Sequence, residues 1–204
     1  MKILVCAFVL CFLASCSAGP VYVAKNEQEG IRSSYQDPKL DDLAARNQAG
    51  LKAIYERYEQ ARIDVYPNGI GFVVLSDDRG KKHYYLLVDV RPRDITFGEG
   101  QSQPQERFKE VYSHHFETNL RLVKEQDLRM DGVEGLAFAV HWPVRDYSQC
   151  NKHGGFLEYI MIYLPKGDFL RLARGETSFA EVAKDKEIIT SLGMKKPESI
   201  RLVQ

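Results

Sequence analysis

The segment from Val133 to Trp142 (VEGLAFAVHW) constrains the fold most. Leu136, Phe138, Val140 and Trp142 share one parity; Gly135, Ala137, Ala139 and His141 share the other. A period of two is the signature of a strand. The small residues of the second face permit close approach of a helix or a second sheet. Ile70 to Leu75 (IGFVVL) is apolar on both faces, as an interior strand is. His83 to Arg91 (HYYLLVDVR) puts Tyr84, Leu86, Val88 and Val90 on one face and Tyr85, Leu87, Asp89 and Arg91 on the other. Ser76 to Lys82, a charged turn containing Gly80, joins these two as a hairpin that Pro92 ends.

Further strands are expected. Asn119 to Val123 pairs with the Val133 segment through a turn near Asp131-Gly132. Phe156 to Leu164 and Phe169 to Ala173 form a hairpin around Pro165–Asp168, and Ile200 to Val203 is a last short strand. Val21-Tyr22-Val23 is a tether segment or one more short strand.

Helical signals interrupt the strands. Asp37-Pro38 reads as an N-cap with Pro at the first helical position. Leu40, Leu43, Asn47, Leu51, Ile54, Tyr58 and Ala61 then recur at three- and four-residue steps, a helix over Pro38–Ile63 that Pro67-Asn68-Gly69 stops. Its stripe suits packing on a sheet, with a coiled coil as the alternative. Ser102 and Gln105 have capping-box spacing before Phe108, Val111, Tyr112, His115 and Phe116, a helical stripe with a strand as the alternative. Ser178 and Glu181 open a last helix with Phe179, Val182, Ile189 and Leu192 inward and Gly193 closing it. Together these give an α+β domain, a mainly antiparallel sheet of about six or seven strands with about three helices.

Residues 1–15 have the form of an export leader. Lys2 precedes an uncharged apolar run from Ile3 to Leu13. That run is too short to span a bilayer, which needs about twenty residues, and fits a signal-peptide core. Leu13-Ala14-Ser15-Cys16 closes it. Small residues before a cysteine resemble the lipobox of bacterial lipoproteins. The resemblance implies cleavage before Cys16, lipidation of Cys16 and attachment to a membrane in the cell envelope. Ser17 follows where, in Gram-negative lipoproteins, Asp favours inner-membrane retention; the resemblance thus implies the outer membrane, facing the periplasm. An ordinary secretory signal cut near Ala14 or Ala18 is the alternative. Residues 16–36 then read as the lipidated cysteine and a flexible tether, and 37–204 as one globular domain.

Composition narrows the function classes. The chain has 28 basic and 28 acidic residues, which leaves no basic excess for nucleic acid. Cys6 and Cys11 leave with the leader and Cys16 would carry lipid, so only Cys150 remains as a thiol. No internal disulfide can form, and the core must supply the stability.

Two stretches could carry chemistry. Pro143 to Gly155 (PVRDYSQCNKHGG) brings Cys150 within three residues of His153, near enough for a thiolate–imidazole pair in a tight loop. His114 and Glu117 lie at i, i+3 and would share a face of an α-helix, as two candidate metal ligands. Two ligands fall short of a zinc site, and the H-E-x-x-H spacing is missing. Asp89 and Arg91 share a strand face, as a structural ion pair or a substrate clamp. No nucleophile elbow, P-loop or haem-attachment motif occurs, and no cofactor is expected. The expected function is a membrane-anchored binding or accessory module with an envelope protein as possible partner. The alternative is an envelope hydrolase or thiol-dependent enzyme using Cys150 and His153.

Overall fold

The computed structural model describes residues 23–77, 79–98, 100–145, 156–186 and 188–195. A mixed, mostly antiparallel sheet runs through the centre. Its strands are β1 (Ile63–Ser76), β2 (Lys82–Pro92), β3 (Phe97–Gly98), β4 (Gly135–Arg145), β5 (Phe156–Pro165), β6 (Ile188–Thr190) and β7 (Gly193–Lys195). They lie in the order β1-β2-β4-β5-β6-β7, with β3 also paired to β4. The expected β1–β2 hairpin is present, with Phe72 opposite Leu86 and Ile70 opposite Val88. The β2–β4 pair is parallel, because the chain between these strands crosses over through helices.

The described helices are α1 (Glu27–Gly30), α2 (Pro38–Arg46), α3 (Gln48–Gln60), α4 (Pro104–Glu110), α5 (Glu117–Leu120), α6 (Lys166–Ala173) and α7 (Phe179–Ala183). Their apolar stripes meet one face of the sheet. Leu51, Ile54 and Tyr58 of α3, Phe108 of α4, Phe169 of α6 and Phe179 of α7 join Leu86, Val88, Leu136, Phe138, Val140, Ile160 and Ile162 in one core. Leu136, Phe138, Val140 and Trp142 of β4 join this core, and the small residues Gly135, Ala137 and Ala139 on its other face are buried as well.

The sequence reading and the structure part at several places, each for a physical reason. The long helix breaks at Asn47, whose side-chain amide turns back to the Leu43 carbonyl at 2.8 Å. It ends at Gln60, and Arg62 takes a left-handed φ of 58° to start β1. Pro67-Asn68-Gly69 is therefore not a helix stop but part of a bulge inside β1. Asn119 to Val123 is no strand: Glu117–Leu120 is helical, and a 3₁₀ turn over Glu125–Arg129 follows. Phe169 to Ala173 lies in α6 rather than in a hairpin, its apolar residues packed on the sheet. The helix opened by Ser178 stops at Ala183. Ile189 lies in β6 and Leu192 is exposed. Ile200–Val203 lies outside the described residues.

The stretch read as a tether up to Gln36 is partly built into the domain. The Ala24 amide donates to Val65 and the Arg32 amide to Ile70, while the Tyr35 hydroxyl accepts from the Phe72 amide at 2.9 Å. These bonds cover the edge of β1, which would otherwise expose unpaired backbone. Asp37 caps α2 as expected, accepting from the Lys39 amide, and its other oxygen holds Lys82 at 2.7 Å.

The crossover helix has an unusual middle. Between α4 and α5 the chain winds as a π-helix over Val111–Phe116. Phe108, Tyr112, Phe116 and Leu120, all buried, recur at strict steps of four. On an α-helix such a stripe drifts by about 40° per step. The wider π-winding reduces the drift and keeps all four side chains on the sheet. Phe108 thus meets Trp142 edge-on at 5.2 Å, and Phe116 meets Phe138 at 5.1 Å.

Candidate functional site

Each face of the sheet carries a buried arginine. On the helix side Arg107 of α4 is 2% exposed and grips Glu158 of β5 with two hydrogen bonds, Nε to Oε2 at 2.8 Å and Nη2 to Oε1 at 2.6 Å. The Trp142 indole donates to the same carboxylate at 2.9 Å, and Arg107 also donates to the Ser102 carbonyl. This network is fully engaged and pins the crossover helix to β4 and β5. Its chemistry is structural.

The opposite face holds a different set. Alternation puts Asp89 and Arg91 of β2 on it, and the pairing of Val90 with Val140 sets Arg91 beside His141 of β4. The small residues Gly135, Ala137 and Ala139 lie along the same row of β4. A side chain at Gly135 would strike the Tyr85 ring at 2.5 Å, so only glycine lets that ring lie over the strand. Tyr85 meets Tyr163 of β5 edge-on at 5.5 Å.

The β1 bulge brings the fourth strand in. Val65 lies opposite Val90 and Ile70 opposite Val88, so Tyr66 to Gly69 face Asp89 alone. Asn68 takes a φ of 57°, a conformation asparagine tolerates, and a Cβ at Gly69 would collide with the Asp89 carbonyl oxygen. Bulges re-aim side chains. Here Tyr66 stacks on the His141 ring at 4.6 Å, and Tyr159 of β5 stacks at 5.2 Å. The imidazole is held by aromatic rings in a fixed orientation.

His141 Nε2 stands 3.0 Å from Asp89 Oδ1, at ion-pair distance but without the alignment of a hydrogen bond. Burial pushes the Asp89 carboxyl above the usual carboxylate range, partly opposed by His141. The expected Asp89–Arg91 ion pair is not formed, because the aspartate turns to His141 instead. Asp64, directly opposite Arg91, accepts from Arg93 Nε at 2.6 Å. Arg91 is left 8% exposed with no hydrogen bond to Nε. Burial lowers its pKa, and Arg145 at the end of β4 adds to the lowering while Asp64 opposes it. Asp89 Oδ1, Arg91 Nε and His141 Nδ1 are thus three buried polar atoms without hydrogen-bond partners, gathered on adjacent strands. Buried polar atoms in folded proteins are overwhelmingly hydrogen-bonded, so such a gathering calls for a cause.

The sequence-level candidates fare differently. Cys150 and His153 lie outside the described residues, as does Cys16. His114 is exposed on the π-helix and His115 half-buried. Glu117 is engaged by Arg121 at 2.6 Å. The wider winding also turns His114 and Glu117 out of the α-helical register that would align them. Among the described residues no group of three or more His, Cys, Asp or Glu side chains is placed to hold a metal ion. Sequence reasoning missed His141, listing it only among the small-residue face. Its signal was a polar ring in a row of glycine and alanine. No family model, curated protein or solved structure matches this chain.

Proposed function

We propose that this protein is a lipid-anchored binding module of the cell envelope, attached through Cys16 and facing the periplasm from the outer membrane where the cell has one. The observation that carries the anchor is Leu13-Ala14-Ser15-Cys16 closing an uncharged apolar run. Among the described residues no helix is long and apolar enough to cross a membrane. The unsatisfied polar cluster around Arg91 supports the binding role, because an arrangement that is costly to the fold is retained most readily where a ligand repays it.

The anchor would hold the domain close. The first described backbone bond to the sheet is made by Ala24, and eight residues from Cys16 reach at most about 29 Å when fully extended. Two or more acyl chains give stable attachment where one does not.

Metabolic labelling with a palmitate analogue tests the reading. Label should enter the wild-type chain and be lost in Cys16→Ala. Undiminished label on that variant would overturn the anchor.

A further inference from the structure

The polar cluster on the uncapped side of Arg91 deepens the binding-module reading, on which it rests, by naming what is bound. We propose that Arg91, with His141 and Arg145, forms a site for a small oxyanion, the carboxylate or phosphate group of a ligand.

Arg91 is 8% exposed, and its Nε has no hydrogen-bond partner. A buried charge normally finds a partner or coordinates an ion. Neither carboxylate described on these strands is hydrogen-bonded to Arg91: Asp64 accepts from Arg93, and Asp89 stands at ion-pair distance from His141. His141 Nδ1 is buried and equally without a partner. With its Nε2 side turned to Asp89, the ring leaves Nδ1 as a second polar atom able to meet a ligand.

Charge points the same way. Among the described residues, Arg91, Arg93 and Arg145 stand with Asp64 and Asp89 on this part of the sheet, three guanidinium groups to two carboxylates. A single anion restores balance. A guanidinium is a planar fork that matches the paired oxygens of carboxylate and phosphate, so an oxyanion fits it better than a spherical halide does. Rigidity is supplied by the fold. Arg91 and His141 sit on neighbouring strands, and Tyr66 and Tyr159 clamp the imidazole from both sides. A site on strands locked by packing is pre-organised. By contrast, the equally buried Arg107 has its carboxylate inside the protein and needs none from outside.

The test uses the full chain in detergent micelles, titrated calorimetrically with sodium phosphate and with sodium acetate at matched chloride and ionic strength. Saturable binding of at least one of them is expected, with phosphate the tighter if the natural group is a phosphoryl and acetate if it is a carboxylate. Arg91→Gln should weaken the binding at least tenfold, and Arg91→Lys, which keeps the charge but not the fork, should weaken it less. Arg145→Gln, at a half-buried strand end, gives a second reading should Arg91→Gln fold poorly, and a several-fold loss is expected. No saturable binding of either anion, or equal affinity in the arginine-to-glutamine variants, would overturn the site. The same titration on Cys16→Ala should match the wild type, so failure of the anion site and failure of the anchor register separately.

Discussion

Arg107 and Arg91 are both buried, 2% and 8% exposed, on opposite faces of one sheet. Arg107 gives two hydrogen bonds to Glu158, which also accepts from Trp142. Arg91 has a partnerless Nε, and among the described residues no carboxylate is hydrogen-bonded to it, the opposing Asp64 accepting from Arg93 instead. The difference lies in what the surrounding elements bring. The crossover helix lowers Arg107 onto a glutamate already fixed in β5. On the other face the β1 bulge delivers an aromatic ring, Tyr66, and this covers His141 without satisfying Arg91. Burial alone therefore does not mark a functional charge. Burial without a partner is what sets Arg91 apart, because the desolvation cost is then left standing in the folded protein.

The largest effect should come from breaking the satisfied pair. Arg107→Leu leaves Glu158 buried without its counter-charge, and stability should fall by about 3–5 kcal/mol in urea unfolding. Combining it with Glu158→Leu removes both charges and should recover most of that loss. A drop below about 1 kcal/mol for the single variant would erase the contrast between the two arginines.

Arg91→Leu should behave in the opposite manner. Among the described residues no carboxylate is hydrogen-bonded to Arg91, so stability should stay within about 1 kcal/mol of wild type or rise. A loss as large as that of Arg107→Leu would mean that Arg91 is a structural residue, and the comparison would fail.

The smallest effect is a slope. The folded state holds the Asp89 proton to higher pH than the unfolded state, since burial raises its carboxyl. Over the window from its unfolded value, about 3.9, up to its raised folded value, the native state binds more protons and stability falls as pH rises. Below that window the burial penalty is absent, and above it the penalty is fully present. Asp89→Asn should flatten this segment of the stability–pH curve, measured by urea midpoints. An unchanged slope would place the carboxylate in ordinary solvent.

A large part of the architecture was legible. The alternation in Val133–Trp142 and His83–Arg91 told which side chains share a face, since a two-residue period leaves a strand only two faces. The Asp37-Pro38 helix start was equally plain, because capping is a local interaction. The segments misread as strands, Asn119–Val123 and Phe169–Ala173, are short apolar runs whose winding depends on what they pack against. The candidate site was less legible still. Asp89 and Arg91 were visible as a strand pair, but neither Tyr66 nor His141 stands near them in the chain.

What the sequence determined by itself is the part written in neighbouring residues: the strand periodicity and the Asp37 cap of α2. What only the tertiary structure decided is pairing over distance. The parallel register of β2 and β4 sets Arg91 beside His141, and the four-residue bulge of β1 swings Tyr66 over the ring. Which carboxylate reaches which guanidinium follows from that register, and register is settled by the whole sheet burying one face against its helices, not by any local signal.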